Sequence, residues 1–136
     1  MSGVRLVNGP DNSNTQETIL GNSVYLDLGD FVVLDSSGFL ARAAAGDKVQ
    51  GVYTEQNKTV TSDNQTVALV KGRWEPLQDN MVFELTADQA CTQTDVGAYA
   101  DIALSTNAFL LNLVAGTSGQ FEVIDFDPNR DGTTTL

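Results

Sequence analysis

Apolar and polar residues alternate in short runs along this chain, and most runs are too brief for an amphipathic helix. Ser23–Leu28 alternates, with Val24, Leu26 and Leu28 on one face and Tyr25 on the other. The bend signal Gly29-Asp30 precedes the apolar run Phe31–Leu34. Further strands are predicted over Phe39–Ala43, Val49–Tyr53, Thr66–Val70, Met81–Leu85, Ala98–Leu104, Ala108–Val114 and Gln120–Phe126. Turn chemistry separates them at Ser36-Ser37-Gly38, Ala45-Gly46-Asp47, Asp63-Asn64, Asp79-Asn80, Ser105–Asn107 and Gly116–Gly119. Short strands at spacings of about 8–12 residues predict an all-β domain, a small barrel or sandwich. Strand should exceed a third of the chain and helix stay under about a tenth. One helical turn is expected over Thr86–Gln89, where Thr86 and Gln89 have capping-box spacing.

The same pattern divides the chain into an extended N-terminal arm (1–20), a single β body (21–127) and a polar C-terminal tail (128–136). Residues 8–17 contain no aliphatic or aromatic side chain, so they have no burial to set against the ordering entropy of about 1–2 kcal/mol per residue. Ahead of them lies a small apolar patch, Val4, Leu6 and Val7. There is also an internal echo. A shift of seventy residues superposes Leu34 on Leu104, Phe39 on Phe109, Leu40 on Leu110, Ala45 on Ala115, Gly46 on Gly116 and Gln50 on Gln120. It reads either as a duplicated β unit or as two independent hairpins with common turn chemistry.

Composition narrows the chemistry. The chain has 136 residues, one cysteine, no histidine and a net charge of −11. One domain of this length can bury about two-thirds of its unfolded surface and needs no disulfide or metal staple. Without histidine, Ser-His-Asp and Cys-His catalysis and histidine-ligated metals are excluded. Seven basic residues against eighteen acidic ones argue against binding a phosphate backbone, so no nucleic-acid partner is expected. No apolar run approaches the roughly 20 residues of a membrane helix, and the first residues do not resemble a secretory signal. The sequons at Asn57 and Asn64 therefore read as loop residues in a protein made in the cytoplasm. Asp127–Gly132 matches the opening half of a calcium loop, but the chain ends at Leu136 without the closing glutamate. Paired acids such as Asp27 and Asp30, Asp95 and Asp101, or Asp125 and Asp127 match the minimum for glycoside hydrolysis, but read better as a solubilising surface. Cys91 has no basic neighbour to favour its thiolate and reads as a structural thiol. The expectation is a non-enzymatic protein with no cofactor and no metal.

The stretch from Gly29-Asp30 through Phe39-Leu40-Ala41-Arg42-Ala43-Ala44-Ala45-Gly46 to Gly51-Val52-Tyr53 resembles the capsid decoration (cement) proteins of tailed bacteriophages. Asp95-Val96-Gly97 through Gly119–Asp127 is similar to the closing β segment of such chains. The similarity spans about residues 23–127 and rests on strand and turn patterns rather than on a catalytic signature. It implies a small β-barrel that trimerises on the outer capsid surface of the virion and staples neighbouring major capsid subunits.

Two candidate partner-binding elements follow from the residues themselves. Gly3–Val7 has β-favouring side chains and no proline. It is suited to add as a strand to a capsid subunit's sheet edge, with Val4 and Leu6 on one face. Trp74, flanked by Lys71, Arg73 and Glu75, is either an exposed interface anchor or a core-edge tryptophan with solvated neighbours. The alternative function is a carbohydrate-binding or adhesin-like module using Trp74, Tyr25 or Tyr53 as a sugar platform; a third is an acidic mimic of nucleic acid.

Overall fold

The structure is a computed structural model that describes residues 5–8, 15–78, 81–89, 91–105, 108–113 and 120–126. In chain order the first strands are β1 (Arg5–Asn8), β2 (Gln16–Ile19), β3 (Tyr25–Leu26), β4 (Phe31–Leu34), β5 (Leu40–Arg42), β6 (Gly51–Tyr53) and β7 (Lys58–Thr59). After a π-helical turn at Asn64–Ala68 come β8 (Lys71–Pro76), β9 (Val82–Glu84) and β10 (Thr86–Ala87). A 3-10 turn at Gln93–Asp95 precedes β11 (Tyr99–Ser105), β12 (Ala108–Asn112) and β13 (Phe121–Glu122). The chain is mostly β, 43% strand and 8% helix, inside both limits expected from the sequence.

Five strands form one antiparallel sheet in the order β2-β8-β6-β4-β5. Its two edges approach each other at one end: Leu20, just past β2, bridges Leu40 of β5, and the Gly21 amide donates to the Leu40 carbonyl at 2.9 Å. The sheet is thus curled into a half-barrel. Its interior is filled by Leu20, Leu26, Val32, Leu40, Tyr53, Val60 and Trp74. The ribbon of β3 and β7 supplies Leu26 and leads into Val60. Because side chains alternate along a strand, the residues next to Val32 and Tyr53 face the other way. Phe31 and Val52 lie opposite each other and belong to a second core with Ala100, Ile102, Phe109, Leu111 and Val123. That core is completed by the sheet β10-β12-β11-β13, antiparallel except for the parallel pair β10–β12. The run Phe31–Leu34 is continuously apolar because β4 is covered on both sides.

The internal echo has a structural counterpart. β4, β5 and β6 pair with the first strand in the middle (β5-β4-β6), and so do β11, β12 and β13 (β12-β11-β13). Registers differ, since Leu34 opposes Leu40 but Leu104 opposes Phe109. The two units are joined by Gln120, whose side-chain oxygen accepts from the Val49 amide at 2.7 Å and whose Nε2 donates to the Val49 carbonyl at 2.6 Å.

Several local expectations are corrected. Thr86–Ala87 is strand, and the capping box lies instead at Thr92 and Asp95, where the Asp95 carboxylate accepts from the Thr92 amide at 2.8 Å. Thr66–Val70 is not a strand. The buried Asn64 side chain donates to the Leu20 and Val70 carbonyls and accepts from the Val70 amide, pulling the backbone into the π turn, with Leu69 left-handed at φ 55°. Strand β2 falls within the segment assigned to the arm, and β8 within the charged stretch around Trp74.

Candidate interaction surface

Of the four residues singled out for partner binding, Val4 lies outside the described residues. Leu6 and Val7 fall in β1, which is antiparallel to β9 with Leu6 opposite Phe83 and Arg5 opposite Glu84. One backbone edge of the arm is therefore engaged by its own chain. Trp74 is corrected from interface anchor to core residue: it is 4% exposed, and its Nε1 donates to Thr18 Oγ1 at 2.9 Å. The physical reason is the alternation of β8, which turns Gly72 and Trp74 inward and Arg73 outward. Gly51 on the neighbouring strand leaves the space the indole ring occupies. Tyr53 is also fully buried, its hydroxyl donating to the Gln56 carbonyl at 2.8 Å, whereas Tyr25 is partly exposed.

The acidic pair Asp27 and Asp30 does come together, in the turn between β3 and β4. Asp30 Oδ2 accepts from the Asp27 amide at 2.8 Å and from Arg42 Nε at 3.2 Å, and the Tyr25 hydroxyl donates to Asp27 Oδ1. Arg42 in turn lies over the Phe109 ring, 4.6 Å from its centre. The cluster ties the β3–β4 turn to the second sheet. Hydrogen bonding from Tyr25 holds the Asp27 carboxyl below its ordinary range. Burial pushes Asp30 above its ordinary 3.8, against the opposing pull of the Asp27 amide and Arg42. The two signs act oppositely on stability. Asp27 contributes stability that is lost as pH falls through its lowered pKa. Asp30, with its native pKa above the unfolded one, costs stability as pH rises from 3.8 through the raised value. In urea titrations between about pH 4 and 8, the stability of Asp30→Asn relative to the parent should therefore increase with pH. A relative stability that falls with pH would show that the pairing with Arg42 outweighs the burial of Asp30. Cys91 is partly buried, and burial, with Asp95 and Asp88 nearby, pushes its thiol pKa up. Among the described residues no group of three or more His, Cys, Asp or Glu is placed to hold a metal ion, and Asp127–Gly132 lies outside them. No helix among the described residues is long and apolar enough to cross a membrane.

A groove of about 590 Å³ is bounded by the end of β8, by β9 and by β13. Its apolar lining includes Leu77, Met81, Val82, Phe83, Leu85, Phe121 and Ile124. An aromatic cluster underlies it: the Phe31 ring lies 5.2 Å from Phe83 and 5.4 Å from Phe121, and Phe83 lies 6.2 Å from Phe121. Two large side chains stand exposed at its rim, Tyr99 at 62% and Ile124 at 56%. β13 is an edge strand, paired with β11 on one side only among the described residues. In the groove wall Gln78 Nε2 is buried without a hydrogen-bond partner among the described residues.

Sequence reasoning missed this surface, because Ile124 and Tyr99 read as ordinary members of apolar strands. One signal was present. From Trp74 to Asn129 there is no lysine or arginine, against nine acids: Glu75, Asp79, Glu84, Asp88, Asp95, Asp101, Glu122, Asp125 and Asp127. This stretch carries −9 of the net −11 and builds β9 to β13, including most of the groove. The lysines and arginines of the described body, Arg42, Lys48, Lys58, Lys71 and Arg73, come from the part of the chain that builds the half-barrel. Comparison with protein-family models, with curated proteins and with solved structures returns no match.

Proposed function

We propose that this chain is a structural virion protein of the capsid-decoration type, binding the outer surface of a phage capsid as a trimer and tying major capsid subunits together. The observation that carries the reading is the place of the segment bearing the resemblance. Gly29–Tyr53 folds as the β4-β5-β6 unit, and its residues Phe31, Val32, Val52 and Tyr53 enter both cores. The stretch that resembles decoration proteins thus lies at the centre of a curled half-barrel, which supports the reading. The acidic half of the molecule supports an outward location, since it would be repelled by packaged DNA. A sugar platform is disfavoured, because Trp74 and Tyr53, two of its three aromatic candidates, present no exposed ring.

The test is co-sedimentation with undecorated tailed-phage shells, assembled from a neighbouring gene's product if that gene encodes a major capsid protein, followed by light scattering of the free protein and imaging of the particles. Saturable binding with three-fold density on the outer surface is expected. No binding to shells, or binding to a glycan array instead, overturns the reading.

A further inference from the structure

The geometry points to the β9–β13 groove as a docking site for an extended, apolar polypeptide strand flanked by lysine or arginine, which pairs along the edge of β13 left open among the described residues. The identity of the strand's owner, a capsid subunit, rests on the function proposed above; the chemistry of the strand does not. Three observations converge on that chemistry.

The first is the edge itself. An unpaired strand presents a row of N–H and C=O groups, and an open edge beside an apolar floor is the arrangement that β-augmentation uses. Alternate side chains of an incoming strand would meet the Phe83–Phe121 floor, and Ile124 and Tyr99 at the rim. The second is Gln78. It lines the groove, and its buried Nε2 has no hydrogen-bond acceptor among the described residues. A turn of this side-chain amide toward a bound strand would bring it a backbone carbonyl. The third is charge. Glu122 lines the groove and no lining residue is basic; the exposed Asp125 follows one residue beyond Ile124. The whole stretch from Trp74 to Asn129 has no positive charge of its own. A second copy docking through this same acidic half would be repelled. A strand with basic ends is attracted instead, over a range of about 8 Å at physiological salt.

The probe is a synthetic nine-residue peptide of alternating valine and threonine with two lysines at each end. A glutamate-flanked version and a version with a central proline serve as controls. Binding is read by fluorescence anisotropy at low and high salt, and the site by amide shifts in a ¹⁵N spectrum. The lysine-flanked peptide is expected to bind at least tenfold tighter than either control and to weaken with salt. Its largest shifts should fall at Gln120–Ile124 and at the Gln78 side-chain amide. Because Ile124 and Glu122 are exposed, Ile124→Asp and Glu122→Lys should keep the fold, and each should weaken the peptide by about tenfold. Equal affinity for the glutamate-flanked peptide, shifts confined to other strands, or no binding of any peptide overturns the inference. Shell binding that survives such a failure leaves the decoration reading intact. Peptide binding without shell binding removes that reading and leaves the groove.

Discussion

Truncating Phe31 to alanine is expected to be the most damaging apolar substitution in the molecule, costing about 4 kcal/mol within the roughly 3–5 kcal/mol range for deleting a buried phenylalanine. Phe31 is fully buried and touches aromatic rings from three other strands: Phe83 of β9 at 5.2 Å, Phe109 of β12 at 5.2 Å and Phe121 of β13 at 5.4 Å. Each such pair adds about 0.5–1.5 kcal/mol beyond area burial. The rings hold the half-barrel sheet to the second sheet, so the cavity left cannot collapse without moving one sheet on the other. A loss of this size is a large share of the roughly 5–15 kcal/mol typical of a whole domain. The check is urea unfolding followed by tryptophan fluorescence and by far-UV circular dichroism, with Phe31→Leu as the milder comparison. A loss under about 1.5 kcal/mol for the alanine variant would mean that the ring cluster is not the joint between the sheets. Because Phe31 also supports the groove floor, the same variant should weaken the lysine-flanked peptide more than its stability loss alone accounts for.

The second large effect is expected at Gly51, from addition rather than removal. A Cβ there would lie 2.4 Å from Trp74 Cε3, 2.5 Å from the Glu75 carbonyl oxygen and 2.8 Å from Trp74 Cζ3. Neither neighbour can yield cheaply. The indole is buried and tethered to Thr18, and the Glu75 carbonyl belongs to the backbone of β8, paired with β6 through Val52 and Glu75. Overpacking of this kind costs typically about 1–3 kcal/mol and occasionally more. Gly51→Ala should reach the upper end, about 3 kcal/mol, and lower Tm by roughly 10 °C. Gly38→Ala is the control. Its Cβ would meet nothing within 4 Å, so only the positive φ of 86° opposes it, at about 1–2 kcal/mol. Trp74 fluorescence should shift in Gly51→Ala and not in Gly38→Ala. Equal losses in the two variants would show that the indole does not depend on the glycine.

Legibility followed burial. β4 matches its predicted limits, Phe31–Leu34, because a strand covered on both faces needs an unbroken apolar run. Lys71–Pro76 did not read as a strand, although it lies inside the same sheet. Its inward position 72 is glycine, since a Cβ there would come within 3.0 Å of Leu20 Cδ1 and Tyr53 Cε1. The crowding of the half-barrel's interior replaced a hydrophobic signal with a glycine. Thr66–Val70 misled in the opposite sense. Its β-favouring residues are overruled by one buried side chain, Asn64, which satisfies two carbonyls and an amide and leaves Val67 and Leu69 exposed. Trp74 was legible as a residue of consequence but not as a buried one, because nothing near it in sequence announces that Gly51 has vacated its place.

The sequence by itself determined that the chain is mostly β, that turns fall at Ser36–Gly38 and around Ala45-Gly46, that no histidine-dependent chemistry is available and that acid predominates. These properties follow from side-chain period, turn residues and composition, all local or additive along the chain. Tertiary structure alone decided that β4 and β6 would serve two cores at once. It alone decided that the first and last strands of one sheet would curl together through Leu20 and Leu40, and that β9 and β13 would enclose an apolar groove. Those outcomes depend on contacts between residues twenty to ninety positions apart, whose formation rests on volumes and hydrogen-bond partners that no local window contains.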